Sequence, residues 1–229
     1  PFEFTIKSGT KRKTISDHTA KTYQPDAPTA TTAYVLTKLI DDNGCEATDL
    51  TSTSTITIKP LPTAEVQSVT PVCAGQTVNL VATDVTSADF SWTGPNSYKS
   101  TAQNPVLAST TEKMSGTYKV TVTLNGCSST AETDVTIYPI PTAPVLSSNS
   151  PICEGSELTI TAKAPTNVTA PVTYEWTGPN SYTGTDQNVS IANATTDATG
   201  TYSVTATANG CTSDASTLSY TVNEIPEMP

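Results

Sequence analysis

Five cysteines are the residues of this chain best suited to chemistry. They are Cys45, Cys73, Cys127, Cys153 and Cys211. They form two interleaved series in which equivalent cysteines recur after 80 to 84 residues, so each complete period holds one cysteine from each series. Regular spacing of this kind is typical of disulfides, which form and persist in oxidising compartments. The pattern therefore predicts one disulfide per period and an oxidising compartment, which is the periplasm, the cell surface or the extracellular medium.

Catalytic and metal-binding arrangements are sparse in the sequence. A structural zinc site needs four clustered ligands, commonly with histidine among them, and the only histidine is His18, which has no serine or cysteine elbow near it. Cys45 lacks a partner in its own period and is predicted to be unpaired. Asp41, Asp42 and Asn43 offer the oxygen ligands that calcium prefers, but such a run is more often a polar hairpin tip. We therefore predict a protein that is not an enzyme and holds no metal or cofactor.

The composition argues against nucleic acid and anionic membranes as partners. The formal net charge is −10, the sequence pI is near 4.4, and 11 residues are Lys or Arg. Binding to nucleic acid begins with neutralisation of phosphates by basic side chains, and the basic run from Lys11 to Lys13 is too short for that. No apolar stretch approaches the roughly 20 residues of a membrane-spanning helix. Frequent Thr, Pro and Gly favour strands and turns over helices.

One stretch of seven residues occurs twice without change. Residues 92–98 and 176–182 both read Trp-Thr-Gly-Pro-Asn-Ser-Tyr, at an offset of 84 residues. The other shared motifs are Pro-x-Cys-x-Gly at 71–75 and 151–155, Gly-Thr-Tyr at 116–118 and 200–202, and Asn-Gly-Cys at 125–127 and 209–211, with a further Asn-Gly-Cys at 43–45. Asn-Gly predicts a hairpin turn with both residues at positive φ. Self-similarity at a fixed period indicates tandem repeats.

The period divides the chain into three repeats joined by proline-bearing linkers. We predict the repeats at 1–61, 62–140 and 141–225, with 226–229 beginning a further linker. The linkers start at Leu61-Pro62 and Ile140-Pro141, and proline favours an extended, stiff connection there. The first repeat is expected to lack its opening strands, because the counterpart of Cys73 would fall before residue 1. This arrangement is expected of a segment of a longer array.

The repeat resembles an immunoglobulin-like β-sandwich. That fold is marked by a buried tryptophan on the third strand and by a Gly-x-Tyr motif near the start of the sixth. Trp92 and Trp176 match the first mark, and Tyr118 and Tyr202 match the second. The resemblance implies an all-β protein of tandem immunoglobulin-like β-sandwich domains in an elongated array, with these four side chains in the core.

Two schemes of disulfide pairing fit the repeats. We expect pairing within each repeat, Cys73 with Cys127 and Cys153 with Cys211, because each complete repeat carries two cysteines. A standard immunoglobulin strand map, however, places those two positions at opposite ends of a sandwich. Bonded cysteines need Cα atoms within about 7 Å, so bonds between neighbouring repeats are the alternative.

The full set of motifs is similar to the tandem immunoglobulin-like repeats of very large Bacteroidetes cell-surface proteins. Gliding-motility adhesins of the SprB kind are the nearest example. The relevant motifs are Pro-x-Cys-x-Gly, the seven-residue stretch, Gly-Thr-Tyr, Asn-Gly-Cys and the Pro-x-Pro linkers. The resemblance implies export by the type IX secretion system and display on the cell surface.

The leading hypothesis is a non-catalytic stalk or spacer segment of a large bacterial adhesin, acting in adhesion or gliding motility. The alternatives are glycan- or protein-binding modules and an accessory region of a secreted enzyme. If the repeats bind a ligand, Tyr98 and Tyr182 are the candidate contacts, since they follow the Gly-Pro-Asn turn. The expected partners are neighbouring repeats of the chain, with surface polysaccharide or another surface protein as further candidates.

Overall fold

Strands and turns make up the part of the chain that the computed structural model describes, residues 2–19 and 22–226. The strands are β1 (Phe2–Ser8), β2 (Lys11–His18), β3 (Thr32–Asp41), β4 (Thr53–Ile56), β5 (Val72–Cys73), β6 (Val78–Asn79), β7 (Asp89–Gly94), β8 (Tyr98–Ser100), β9 (Val106–Leu107), β10 (Gly116–Leu124), β11 (Cys127–Val135), β12 (Ile137–Tyr138), β13 (Val145–Ser148), β14 (Ile152–Cys153), β15 (Leu158–Lys163), β16 (Thr173–Gly178), β17 (Tyr182–Gly184), β18 (Asn188–Ile191), β19 (Gly200–Ala208), β20 (Cys211–Thr212), β21 (Ser216–Tyr220) and β22 (Val222–Asn223). Short 3-10 turns occur at Pro95–Ser97, Glu112–Met114, Pro179–Ser181 and Thr196–Ala198. None of the helical segments in these ranges has the length and apolar character needed to cross a membrane.

The chain is all-β and built from immunoglobulin-like sandwiches in tandem. In the third repeat one sheet has the order β13-β15-β18, and the other has the order β17-β16-β19, with β20 and β21 both paired to β19. The short strand β14 pairs in parallel with β22. In the second repeat β11-β10-β7-β8 form the corresponding four-stranded sheet, β6 pairs with β9, and β5 pairs in parallel with β12.

Each complete repeat has its own core, produced by side chains that alternate along its strands. In β10, Tyr118, Val120 and Val122 are buried, while their neighbours along the strand are less buried. They pack in one cluster with Trp92, and the corresponding residues of β19 pack with Trp176 in a second cluster. Successive strand residues point to opposite faces, so this alternation directs one face of each strand into a sandwich.

The first part of the chain forms a single four-stranded sheet among its described residues. Its order is β2-β1-β3-β4, which matches the order β8-β7-β10-β11 of the second repeat. Contacts between Cα atoms group the residues up to 63 with 123–129 as one compact unit, and 64–122 with the residues from 130 onwards as another. The Phe-Glu-Phe segment in β1 therefore takes the place in its sheet that the Trp92 strand takes in the second repeat.

Candidate functional site: the disulfide junction

A disulfide between Cys73 and Cys211 joins the second repeat to the third. The two Cα atoms lie 5.6 Å apart, and the bonded residues are separated by 138 positions in sequence. Cys127 and Cys153 are free thiols in the structure. The pairing expected within each repeat is therefore wrong, and the structure has the alternative, a bond between neighbouring repeats.

The third repeat shows why its own two cysteines do not meet. Cys211 pairs with Ala208 at the end of β19, whereas β21 faces Gly200 at the start of that strand. Cys153 pairs with Asn223, which lies just beyond β21. Because β19 has nine residues and a strand rises about 3.4 Å per residue, roughly 30 Å separates the two ends. That is far beyond the reach of a disulfide.

Parallel pairing with the last strand of the second repeat positions Cys73. Cys73 lies opposite Tyr138 in the β5–β12 ladder. The Val72 amide donates to the Thr136 carbonyl at 3.1 Å, and the Ala74 amide donates to the Tyr138 carbonyl at 2.9 Å. This ladder holds Cys73 at the end of the repeat from which the chain leaves toward the third repeat.

An Asn-Gly hairpin positions Cys211. Asn209 and Gly210 have φ values of 51° and 78°, as in the two-residue turn with both central residues in the left-handed region. Cys211 follows directly and is 1% exposed. Asn125 and Gly126 adopt the same conformation, with φ of 53° and 83°, so the motif predicts this hairpin correctly in both complete repeats.

The linker between these repeats is held by Asn167. The Asn167 side chain accepts a hydrogen bond from the Thr142 amide at 2.9 Å and donates one to the Ile140 carbonyl at 2.8 Å. Pro141 and Pro144 are buried. In the sequence Asn167 is recognisable only as the start of an Asn-Val-Thr glycosylation pattern, and the structure shows both ends of its amide engaged with the linker. The disulfide and this Asn167 clamp therefore both hold the junction.

The three remaining cysteines differ in exposure. Cys45 and Cys153 are exposed, and Cys127 is half-buried. The Cys127 Sγ lies 3.9 Å from the Lys59 carbonyl oxygen, and the Lys59 ammonium donates to the Asn125 carbonyl at 2.8 Å. The structure has Cys45 as a free thiol.

The repeated seven-residue stretch fits against the Gly-Thr-Tyr motif of the same repeat. A side chain at Gly94 would lie 2.5 Å from the Tyr118 ring, and one at Gly116, where φ is +139°, would lie 2.8 Å from Pro95. The Tyr118 hydroxyl donates to the Met114 carbonyl at 2.9 Å, as in the tyrosine corner of immunoglobulin-like domains. The Tyr118 ring therefore leaves room only for glycine at position 94, and Pro95 leaves room only for glycine at position 116.

The third repeat has the same interlock. Side chains built at Gly178 and Gly200 would lie 2.7 Å from the Tyr202 ring and 2.6 Å from Pro179. The Tyr202 hydroxyl donates to the Ala198 carbonyl at 3.2 Å. The tryptophan that begins each seven-residue stretch is fully buried. Its indole N–H donates to a backbone carbonyl, at 3.2 Å in the second repeat and 2.8 Å in the third.

Tyr98 and Tyr182, the candidate ligand contacts, are half-buried. Tyr98 packs edge-on against Tyr118 with ring centroids 5.4 Å apart, and Tyr182 packs in the same way against Tyr202 at 5.5 Å. Burial raises the pKa of Tyr182 above its ordinary value. Both rings thus have packing partners inside their own repeat, and ligand contact by either one stays a prediction.

A buried hydroxyl distinguishes the third repeat from the second. Tyr220 is 1% exposed, and its hydroxyl has no hydrogen-bond partner among the described residues. Its ring packs against Tyr202 with centroids 5.3 Å apart. Burial is the main cause that raises the pKa of Tyr220. The second repeat has Val135 at the matching place, two residues before the strand that pairs with its cysteine.

The acidic turn before Cys45 differs from the other Asn-Gly hairpins. The Asp41 carboxylate accepts hydrogen bonds from the amides of Asn43 at 3.0 Å and Cys45 at 2.8 Å. Gly44 has a φ of +83°, but Asn43 is not in the left-handed region, so the expected turn with two such residues is wrong here. The hydrogen bond from the Cys45 amide is the main cause that lowers the pKa of Asp41. His18 ends β2, and its side chain lies outside the described part of the structure.

No protein-family model and no curated protein matches this chain. Among solved structures, the I67–I69 fragment of titin is 10% identical at a TM-score of 0.49, over 99% of this chain and 89% of that one. Extracellular domains 3–5 of Drosophila OTK are 9% identical at 0.49, over 97% and 85%. Murine CEACAM1b is 14% identical at 0.43, over 71% and 100%. The immunoglobulin-like fold of this chain rests on its own strand order and tyrosine corners.

Proposed function

We propose that this chain is a non-catalytic spacer in a large bacterial cell-surface adhesin that serves adhesion or gliding motility. The disulfide between Cys73 and Cys211 is the observation that carries the proposal. It ties two consecutive repeats together covalently, and the Asn167 clamp fixes the linker between them. A connection of this kind suits a segment that transmits tension or holds a distal region away from the cell.

The match between repeats supports the same role. In each copy of the seven-residue stretch the tryptophan is buried, and the glycine, the proline and the last tyrosine pack against the Gly-Thr-Tyr motif, so folding accounts for the identity of these four residues. We propose three modules with boundaries at 1–61, 62–140 and 141–225. The disulfide supports an oxidising, extracellular setting, and the resemblance to Bacteroidetes surface repeats supports type IX export. Neighbouring repeats are the partners that this role requires.

Stretching the chain from its two ends in a single-molecule force experiment tests this role. In the oxidised chain, the disulfide prevents the 138-residue segment between Cys73 and Cys211 from extending. That segment corresponds to about 450–500 Å of extended chain. We expect Cys73→Ser to release that length when the repeats unfold. The matched control, Cys127→Ser, alters a free thiol and should behave as the unmodified chain.

Equal extension of the oxidised and reduced chains would show that no bond joins Cys73 to Cys211, and the spacer proposal would lose the observation that carries it. The same protein can be applied to a glycan array at physiological salt. A spacer is expected to give no signal above a denatured control. Saturable binding by the second or third repeat would favour a recognition module instead.

A groove in the first part of the chain favours glycan binding as the second candidate function. Its volume is about 550 Å³, and Lys11, Arg12, Tyr23 and Tyr34 are among its lining residues. Aromatic and basic side chains together suit an acidic polysaccharide, because a ring can stack on a sugar and a cation can pair with its carboxylate. Lys11→Ala with Arg12→Ala should abolish array binding to acidic glycans if the groove has this function, whereas Lys163→Ala serves as the control.

A further inference from the structure

Cys153 is held by the same framework as the bonded Cys73. Cys153 lies opposite Asn223 in the parallel β14–β22 ladder, as Cys73 lies opposite Tyr138 in β5–β12. The Glu154 amide donates to the Asn223 carbonyl at 2.8 Å, in the same place as the corresponding bond beside Cys73. The backbone at Cys153 is therefore already arranged as it is where a disulfide between repeats has formed.

The chain that follows this framework also has the same spacing. Pro141 comes three residues after Tyr138, and Pro226 comes three residues after Asn223, with isoleucine before the proline in both places. In the first case this linker brings the Asn-Gly-Cys hairpin of the next repeat to Cys73. A repeat joined after Pro226 through the same linker would bring its own hairpin to Cys153.

We infer that Cys153 is an inter-repeat disulfide site, and that its partner is the Asn-Gly-Cys hairpin of an immunoglobulin-like repeat joined after Pro226. The rule behind the assignment is directional. The cysteine before the second strand of one repeat bonds to the hairpin cysteine of the repeat that follows it. The inference rests on the bond between Cys73 and Cys211 and on the matched ladders, and it does not depend on the spacer role.

The bond forms by ordinary thiol–disulfide exchange with a small-molecule disulfide such as glutathione disulfide. One cysteine thiolate attacks the oxidant, forms a mixed disulfide and releases one glutathione thiol. The second thiolate attacks the mixed disulfide, forms the bond between repeats and releases the second glutathione thiol. Two protein thiols are oxidised, one glutathione disulfide is reduced, and both protons end on the released glutathione.

A chain of residues 1–226 followed directly by a second copy of 142–226 tests the inference. In the added copy, Cys153→Ser removes the second Cys153 peptide and Thr212→Ser marks the hairpin peptide by its mass. After oxidation in glutathione buffer and alkylation of free thiols, a non-reduced peptide map should contain two bonds, Cys73 with Cys211 and Cys153 with the hairpin cysteine of the added copy. Thiols linked in one chain meet at an effective concentration in the millimolar range, so alkylation of Cys153 should fall at least about tenfold relative to the 229-residue chain. Cys127 should stay alkylated.

The control is Cys153→Ser in residues 1–226 of the extended chain, which should leave the hairpin cysteine of the added copy alkylated. Full alkylation of Cys153 beside an intact bond between Cys73 and Cys211 would overturn the inference. A bond from Cys153 to Cys127 of the same chain, or to Cys45 of another molecule of the chain, would overturn it as well.

A second arm uses the 229-residue chain and does not depend on folding of the extended one. In the variant Cys73→Ser, Cys211 loses its partner while Cys153 remains in the same repeat. The directional rule predicts that both cysteines stay alkylated, because β19 separates them. A bond between Cys153 and Cys211 in this variant would show that pairing follows availability and would refute the rule.

Discussion

The second and third repeats agree in their cores and differ in the state of their cysteines. In both, tryptophan, glycine, proline and tyrosine make the same interlock at nearly the same distances. Yet Cys73 is bonded while its counterpart Cys153 is free, and Cys211 is bonded while its counterpart Cys127 is free. The fold of a repeat is thus decided by its own residues, whereas the state of each cysteine is decided by the neighbouring repeat.

The largest expected effect comes from Trp176→Ala, which tests whether the two cores are separate. Trp176 is fully buried, and loss of a buried tryptophan should lower the free energy of unfolding of the third repeat by about 3–5 kcal/mol. Trp92 is then the only tryptophan left, so its fluorescence reports on the second repeat alone. Its urea midpoint should stay unchanged while circular dichroism shows the early loss of the third repeat. Parallel shifts of both signals would show that the cores unfold together.

Removal of the cross-link is expected to come next in size. Cys73→Ser should lower the free energy of unfolding by about 2–5 kcal/mol, because the disulfide restricts the unfolded chain. Cys211→Ser should cost the same, and the double variant should cost no more than either one, since both remove a single bond. Cys127→Ser is the matched control and should change stability by less than about 0.5 kcal/mol. An equal loss for Cys127→Ser would contradict the assigned pairing.

Substitutions at two neighbouring tyrosines of the third repeat should change the free energy of unfolding in opposite directions. Tyr202→Phe removes a hydroxyl that donates to the Ala198 carbonyl and should lower the free energy of unfolding by about 1 kcal/mol. Tyr220→Phe removes a buried hydroxyl without a partner among the described residues and should raise it by up to about 1 kcal/mol. Urea titrations of the two variants measure both. Tyr118→Phe should repeat the loss, and destabilisation by Tyr220→Phe would mean that its hydroxyl is satisfied after all.

The smallest effect is the pH dependence of the turn before Cys45. The folded-state pKa of Asp41 is lowered from 3.8, so its contribution to stability is present above that value and is lost as the pH falls through the lower folded value. In an NMR titration the amide protons of Asn43 and Cys45 should report this transition. The amide proton of Cys211, whose turn lacks such a carboxylate, should not. An unchanged titration in Asp41→Asn would assign the transition to another group.

Features that depend on one repeat could be predicted from the sequence. The period, the sandwich fold, the buried tryptophans and the Asn-Gly hairpins of the complete repeats depend on contacts between residues less than one period apart. The stretch that is identical at 92–98 and 176–182 reveals these features, because it contacts the same Gly-Thr-Tyr motif in both complete repeats. The all-β, immunoglobulin-like fold is confirmed by the sheets that these residues form.

Features that depend on two repeats could not be predicted in the same way. The count of two cysteines per repeat favours internal pairing, whereas the immunoglobulin strand map places the two positions at opposite ends of a sandwich. The strand ends of the third repeat decide between them, because Cys153 and Cys211 lie too far apart. Asn167 has an ordinary loop context, and its role appears only when Ile140 and Thr142 are placed beside it. The turn at Asp41 differs for a local reason. The Asp41 carboxylate accepts hydrogen bonds from the amides of Asn43 and Cys45, and the other two Asn-Gly-Cys hairpins have threonine in its place.

The disulfide between repeats also makes the order of folding and oxidation matter during biosynthesis. As the chain is made from its N-terminus, Cys127 is available to Cys73 long before Cys211, which comes 138 residues after it. Domains fold as units, the N-terminal one first, and the β5–β12 ladder forms when the second repeat folds. If the second repeat folds before its sulfurs are oxidised, the ladder already holds Cys73 at the junction when Cys211 arrives. A bond made earlier between Cys73 and Cys127 would have to be broken by thiol–disulfide exchange before the bond between repeats could form.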